Sequence, residues 1–253
     1  MRTKTFLILL LTALLLLSYA LSPWTLELGG VSLKKITLPD TCHSSLATRH
    51  TSLDSCHSSL VTRHSSPDTA AQRILFFGDS MLEGLSRRFG DYAAQNGHEL
   101  DVVLWYSSTT ERWATSDTLA HFLRRYNPTF VVICLGSNEL FVRDLPERDR
   151  HIGRILSRIG RRPYVWISPP NWKEDTGIND LILRHVGKER YFDSRHLQLQ
   201  RGRDHAHPTF SAAATWMDSV AAWMSSPATA HPIRLERPDT TARPTNLTLL
   251  APE

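Results

Sequence analysis

Cysteine is scarce in this chain, with three among 253 residues: Cys42, Cys56 and Cys134. An odd trio excludes a disulfide framework, and a chain of this length can instead bury a sizeable apolar core. An oxidising compartment would permit a Cys42–Cys56 bridge, whereas Cys134 lies in an apolar run and reads as a buried thiol. Charge imbalance is small as well. The 29 Lys and Arg against 25 Asp and Glu leave a net +4, and the arginines are scattered rather than gathered into a stripe. The concentrated basic face of a nucleic-acid partner is therefore missing. Also absent is the Gly-x-Ser-x-Gly elbow that carries the nucleophile in one large hydrolase fold.

One long apolar run is present. Met1-Arg-Thr-Lys-Thr5 leads into a stretch from Phe6 to about Leu21, broken only by Thr12, Ser18 and Tyr19. A positive start followed by such a run reads as a secretory signal or a membrane anchor over residues 1–22. Ser18-Tyr19-Ala20 offers small residues for cleavage, and residues 6–22 also reach the short end of a bilayer span. Both outcomes place the remainder outside the cytoplasm, in the periplasm or cell envelope. The only membrane contact expected is through this segment, where it stays uncleaved.

Residues 23–72 read as a linker. Within it Cys42-His-Ser-Ser-Leu-Ala-Thr-Arg-His50 recurs as Cys56-His-Ser-Ser-Leu-Val-Thr-Arg-His64, a period of 14. Two copies are too few for a solenoid. The repeat is a duplicated polar spacer or a set of Cys and His metal ligands; no apolar frame surrounds it to fix ligand geometry. The tail, 226–253, lacks periodicity and reads as disordered.

From Arg73 the pattern changes. Ile74–Phe77, Leu100–Tyr106, Thr129–Leu135, Pro163–Ser168 and Tyr191–Phe192 are short apolar runs with strand character. Helical spacing fills 81–96, 117–126, 146–160, 177–187 and 210–224. Alternating strands and helices with near-continuous apolar strands predict a parallel sheet covered on both faces. Chemistry in such a sheet sits at the carboxyl ends of strands.

Three polar segments fall there. Gly78-Asp79-Ser80 closes the first strand: either an ordinary helix-capping turn, or a nucleophile whose N–H at a helix start favours an oxyanion. Gly136-Ser137-Asn138-Glu139 closes the third, with an Asn amide able to donate to an oxyanion. Asp204-His205-Ala206-His207-Pro208 precedes the last helix and supplies a base and an acid within one turn. His205 competes with His207 as base, and both could ligate a metal. Asn171 and Trp172, after the fourth strand, are candidates for lining a substrate site. Trp105, Trp113, Trp166 and Trp216 read as core rather than carbohydrate platforms, although Trp113 and Trp172 fall in rim loops.

In this order the three segments resemble the SGNH hydrolase (GDSL-like) superfamily over residues 73–225. The resemblance implies a flavodoxin-like three-layer α/β/α fold with a five-stranded parallel sheet. It further implies Ser80 as nucleophile, His207 as base and Asp204 as its orienting acid, with no metal or cofactor. Oxyanion donors would be the Ser80 N–H, the Asn138 amide and an N–H of Ser107 or Ser108, where the superfamily has a glycine. Glu139 stands in place of the superfamily's Asp. The implied activity is ester hydrolysis on a small-molecule or glycan ester, with O-acetyl on carbohydrate the leading expectation. An acyltransferase with the same triad, and a noncatalytic carbohydrate-binding scaffold, are the alternatives.

Overall fold

A computed structural model of the protein describes residues 26–28, 31–33, 67–239 and 246–252. It divides the chain into two compact units, Met1–Val61 and Thr62–Glu253. In the first, Leu26–Leu28 pairs antiparallel with Val31–Leu33, a short hairpin inside the stretch read as linker. The expected signal or anchor over 1–22 and the Cys/His repeat lie outside the described residues. Among those residues, no helix is long and apolar enough to cross a membrane.

The second unit is built on a parallel sheet. Its strands are β1 (Arg73–Gly78), β2 (Glu99–Trp105), β3 (Phe130–Cys134), β4 (Tyr164–Ile167), β5 (Tyr191–Phe192) and β6 (Asn246–Leu250). The spatial order is β5-β4-β3-β1-β2-β6, all neighbours parallel. The first five follow the flavodoxin-like order, whose direction of winding reverses between β1 and β3. The sheet has six strands rather than the five expected. The sixth comes from the tail read as disordered, and pairs Asn246–Leu250 with Asp101–Trp105. Its alternation is masked because Leu247 and Leu249 are exposed while Thr248 and Leu250 face inward. The preceding tail segment also packs down: Ile233 and Leu235 are buried, Ile233 bridges Asp68, and Asn96 exchanges hydrogen bonds with Glu236.

Alternation along the strands splits the core in two. Ile74 and Phe76 point to one face, packed with α1 (Leu82–Gln95) and α6 (Phe210–Met224). Leu75 and Phe77 point to the other, with α2 (Thr110–Thr115), α3 (Thr118–Tyr126), α4 (Leu145–Ile159) and α5 (Ile178–Val186). This is the three-layer α/β/α arrangement. Polar caps start the helices where the sequence supplies them: Asp144 accepts from Glu147 N–H, and Thr209 from Ala212 N–H. Helix α2 was not expected. It begins on a Thr109 cap and carries Trp113, which is fully buried and 4.6 Å from the Phe77 ring. Trp113 is therefore core, as expected, but it stands on a helix rather than in a loop, and its indole N–H is held by Ser108 Oγ at 2.9 Å.

Candidate active site

The site forms where winding reverses, at the carboxyl ends of β1 and β3. Strand β1 lies so close to β3 at its end that a Cβ on Gly78 would fall 1.9 Å from the Cys134 carbonyl oxygen. Only glycine fits, and the chain can then turn directly into α1. Asp79 sits in that turn, fully buried. It accepts from Met81 N–H on its own side and from Ser137 N–H and Oγ–H across the gap. Burial pushes its carboxyl up to about 6 while these donors oppose the shift. Asp79 thus ties the end of β1 to the loop after β3, and Ser80 stands half-buried beside it.

The other half of the site is a tight hairpin over 200–209. Gly202 N–H bonds to His207 O, Thr209 N–H to Gln200 O, and Arg201 bridges Pro208. His205 takes the left-handed backbone at its tip (φ +57°). In this hairpin Asp204 Oδ1 accepts from the N–H groups of Ala206 and His207, and Asp204 Oδ2 lies 2.6 Å from His207 Nδ1. His207 Nε2 lies 2.8 Å from Ser80 Oγ. The bond to the His207 ring, with the two N–H donors, holds the Asp204 carboxyl down at about 2. The carboxylate therefore stays charged at neutral pH and fixes the imidazole with its acceptor nitrogen toward Ser80. His207, and not His205, is the histidine that meets the serine.

The expected oxyanion donors converge unequally. Asn138 lies in a 3-10 turn (Ser137–Glu139) entered through Gly136 at φ +121°. One of its amide hydrogens goes to Ser108 O at 2.9 Å, which leaves the second free to donate. Ser108 is fully buried, and its own N–H is engaged with Trp105 O. Ser107 is exposed and adopts φ +57°, the left-handed conformation that glycine favours. No hydrogen bond of the Ser107 or Ser80 N–H is seen among the described residues. Of the two serines, Ser107 is the one with an N–H to offer.

Asn171 and Trp172 serve the frame of the site. Asn171 Oδ1 accepts from Asn179, and the Trp172 indole donates to Ser137 O at 3.0 Å, next to Asn138. Two further contributors have no site role in the sequence reading, although Glu139 directly follows Asn138. Arg201 donates to Ala206 O in the hairpin and to Pro170 O and Asn171 O, pinning the His207 turn to the loop after β4. Glu139, fully buried, accepts from both the N–H and hydroxyl of Thr110 and lies 3.3 Å from Arg148. It anchors the loop of Ser107 and Ser108 against that of Asn138. Among the described residues no cluster of His, Cys, Asp and Glu is arranged to hold a metal ion.

No family model and no curated protein matches the chain. Among solved structures it is similar to one described as a lipolytic protein of the G-D-S-L family from Desulfitobacterium hafniense DCB-2. That similarity has 14% identity and a TM-score of 0.44, over 60% of this chain and 98% of that one. It is also similar to a gut microbial diltiazem-metabolizing enzyme, at 12% identity and TM-score 0.44, over 64% of this chain and 48% of that one.

Proposed function

We propose that the protein is an exported serine esterase that cleaves an ester through an acyl-enzyme, most favourably an O-acetyl group on a carbohydrate. The observation that carries this reading is the unbroken chain Ser80 Oγ–His207 Nε2, His207 Nδ1–Asp204 Oδ2, with separations of 2.8 and 2.6 Å. A serine hydroxyl alone is a weak nucleophile; a base in hydrogen-bond reach, itself oriented by a carboxylate, activates it.

In the reading, Ser80 Oγ attacks the ester carbonyl as His207 Nε2 takes its proton. Negative charge gathers on the carbonyl oxygen beside the Ser80 N–H, the Ser107 N–H and the Asn138 amide. The imidazolium, stabilised by Asp204, returns the proton to the departing alkoxide, and the alcohol leaves. Water then attacks the acyl-serine with His207 again as base, releasing the acid and free Ser80. Export rests on the apolar run Phe6–Leu21 behind Arg2 and Lys4.

The test is hydrolysis by the full chain of 4-nitrophenyl acetate and a panel of acetylated glycans. His207→Ala should lower turnover by at least about 10³. Unchanged turnover in that variant would remove the triad reading. Acyl groups appearing on an added sugar rather than in water would reassign the protein as a transferase.

A further inference from the structure

Two segments carrying site residues each present an exposed aromatic ring with a cation over it. Phe141 follows Asn138 by three residues and is 54% exposed. Its ring meets Trp172 edge-on at 6.5 Å, and Lys173 Nζ lies 4.7 Å from the centre of Trp172 and 5.2 Å from that of Phe141. On the other segment, Phe210 follows His207 by three residues and is 55% exposed. The Arg87 guanidinium sits 4.0 Å above its ring. Arg87 lies on α1, seven residues after Ser80. Together with Phe210 it lines a surface cleft of about 350 Å³, whose lining also includes Gly84, Ala214 and the group Arg88, Asp91 and Asp218.

These cations differ from several others on the same unit. Arg88 is paired with Asp218, Arg148 with Glu111, and Arg195 with Asp193 and Asp180. Among the described residues neither Lys173 nor Arg87 has a carboxylate partner. Arg201, under the His207 turn, directs its side-chain hydrogen bonds only to carbonyls. A cation held on a ring is kept in place by the quadrupole without being neutralised, and a guanidinium so placed still offers its N–H fork to a carboxylate. Glu83, at the start of α1, is occupied by the Tyr106 hydroxyl.

We infer that the substrate is an anionic glycan. Its carboxylates would meet Lys173 on the Asn138 side and Arg87 on the His207 side, while sugar faces pack on Phe141 and Phe210. This rests on the esterase reading for the position of the scissile ester, but not for binding.

The test uses the full chain carrying Ser80→Ala, so that binding is measured apart from turnover. It should bind polygalacturonate and not the neutral polymer dextran, with affinity falling as salt rises. Adding Lys173→Gln or Arg87→Gln should weaken binding about tenfold. Lys173→Arg and Arg87→Lys, which keep the charge, should retain most of it. In the active protein, either Gln variant should lower the kcat/KM ratio of acetylated polygalacturonate to acetylated xylan about tenfold. Equal binding to dextran, or indifference to both charge removals, would overturn the inference. So would capture by phosphatidylglycerol vesicles without binding to polygalacturonate, which would give the cations to lipid headgroups. Polygalacturonate binding by a wild-type protein that hydrolyses no ester would instead overturn the esterase reading and leave this one standing.

Discussion

Two side chains at the ends of β1 and β3, Asn138 and Asp79, do different work, and each can be separated by substitution. Asn138 gives one amide hydrogen to Ser108 O, and the second is the one available to an oxyanion. Asn138→Ala should lower kcat by about 10²–10³ with a smaller effect on KM, read from steady-state ester hydrolysis. Asp79 acts on stability. Its folded value of about 6 lies above the ordinary 3.8, so the folded protein binds this proton more readily than the unfolded chain. The resulting stability is complete below pH about 4 and is lost as pH rises through about 6, amounting to about 3 kcal/mol. Urea unfolding of wild type and Asp79→Asn across pH 4–7 should show the wild type losing that amount relative to the variant; parallel curves would remove this role. The contact between Asp204 and His207 was legible in the sequence because residues three apart in one turn lie within reach of each other. The choice between Ser107 and Ser108 was not, since it depends on a backbone dihedral and on which N–H the Trp105 carbonyl takes.

At the scale of elements, the five apolar strands and their intervening helices announced themselves by periodicity, and their bounds in the structure fall within a residue or two. Within the second unit, helix α2 and strand β6 did not. Helix α2 spans only Thr110–Thr115 and opens with a polar run, so its identity rests on the Thr109 cap and on Glu139 reaching across from the loop after β3. Its Trp113 fills the space between Phe77 and Trp105. Trp113→Ala should destabilise the protein by about 3–5 kcal/mol in denaturant titration, a loss that a rim-loop tryptophan would not give. Strand β6 was hidden for the opposite reason: as an edge strand it leaves Leu247 and Leu249 exposed. It is recognised through pairing with β2 and through the Tyr126–Thr248 and Asn246–Asp101 contacts. Truncation after residue 245 uncovers the β2 edge and should lower the urea midpoint. An unchanged midpoint would mean that the strand contributes no net stability.

For the whole molecule, the parallel winding brings residues 80, 138 and 207 to one rim, although they lie far apart along the chain. Two of the three bland motifs are joined by hydrogen bonds running from Ser80 through His207 to Asp204, and the third brings Asn138 to the same rim. Asp79, Glu139 and Arg201 supply the ties that hold the three segments in register, and none of them touches the reacting atoms in the proposed mechanism. The central claim is that Ser80 is the nucleophile. The full chain should therefore be treated with a fluorophosphonate serine probe and the adduct located by peptide mass spectrometry. Stoichiometric modification of Ser80 in the wild type, lost in Ser80→Ala and strongly slowed in His207→Ala, is the predicted result. Modification that persists in Ser80→Ala, or a folded wild type that takes no label, would contradict it.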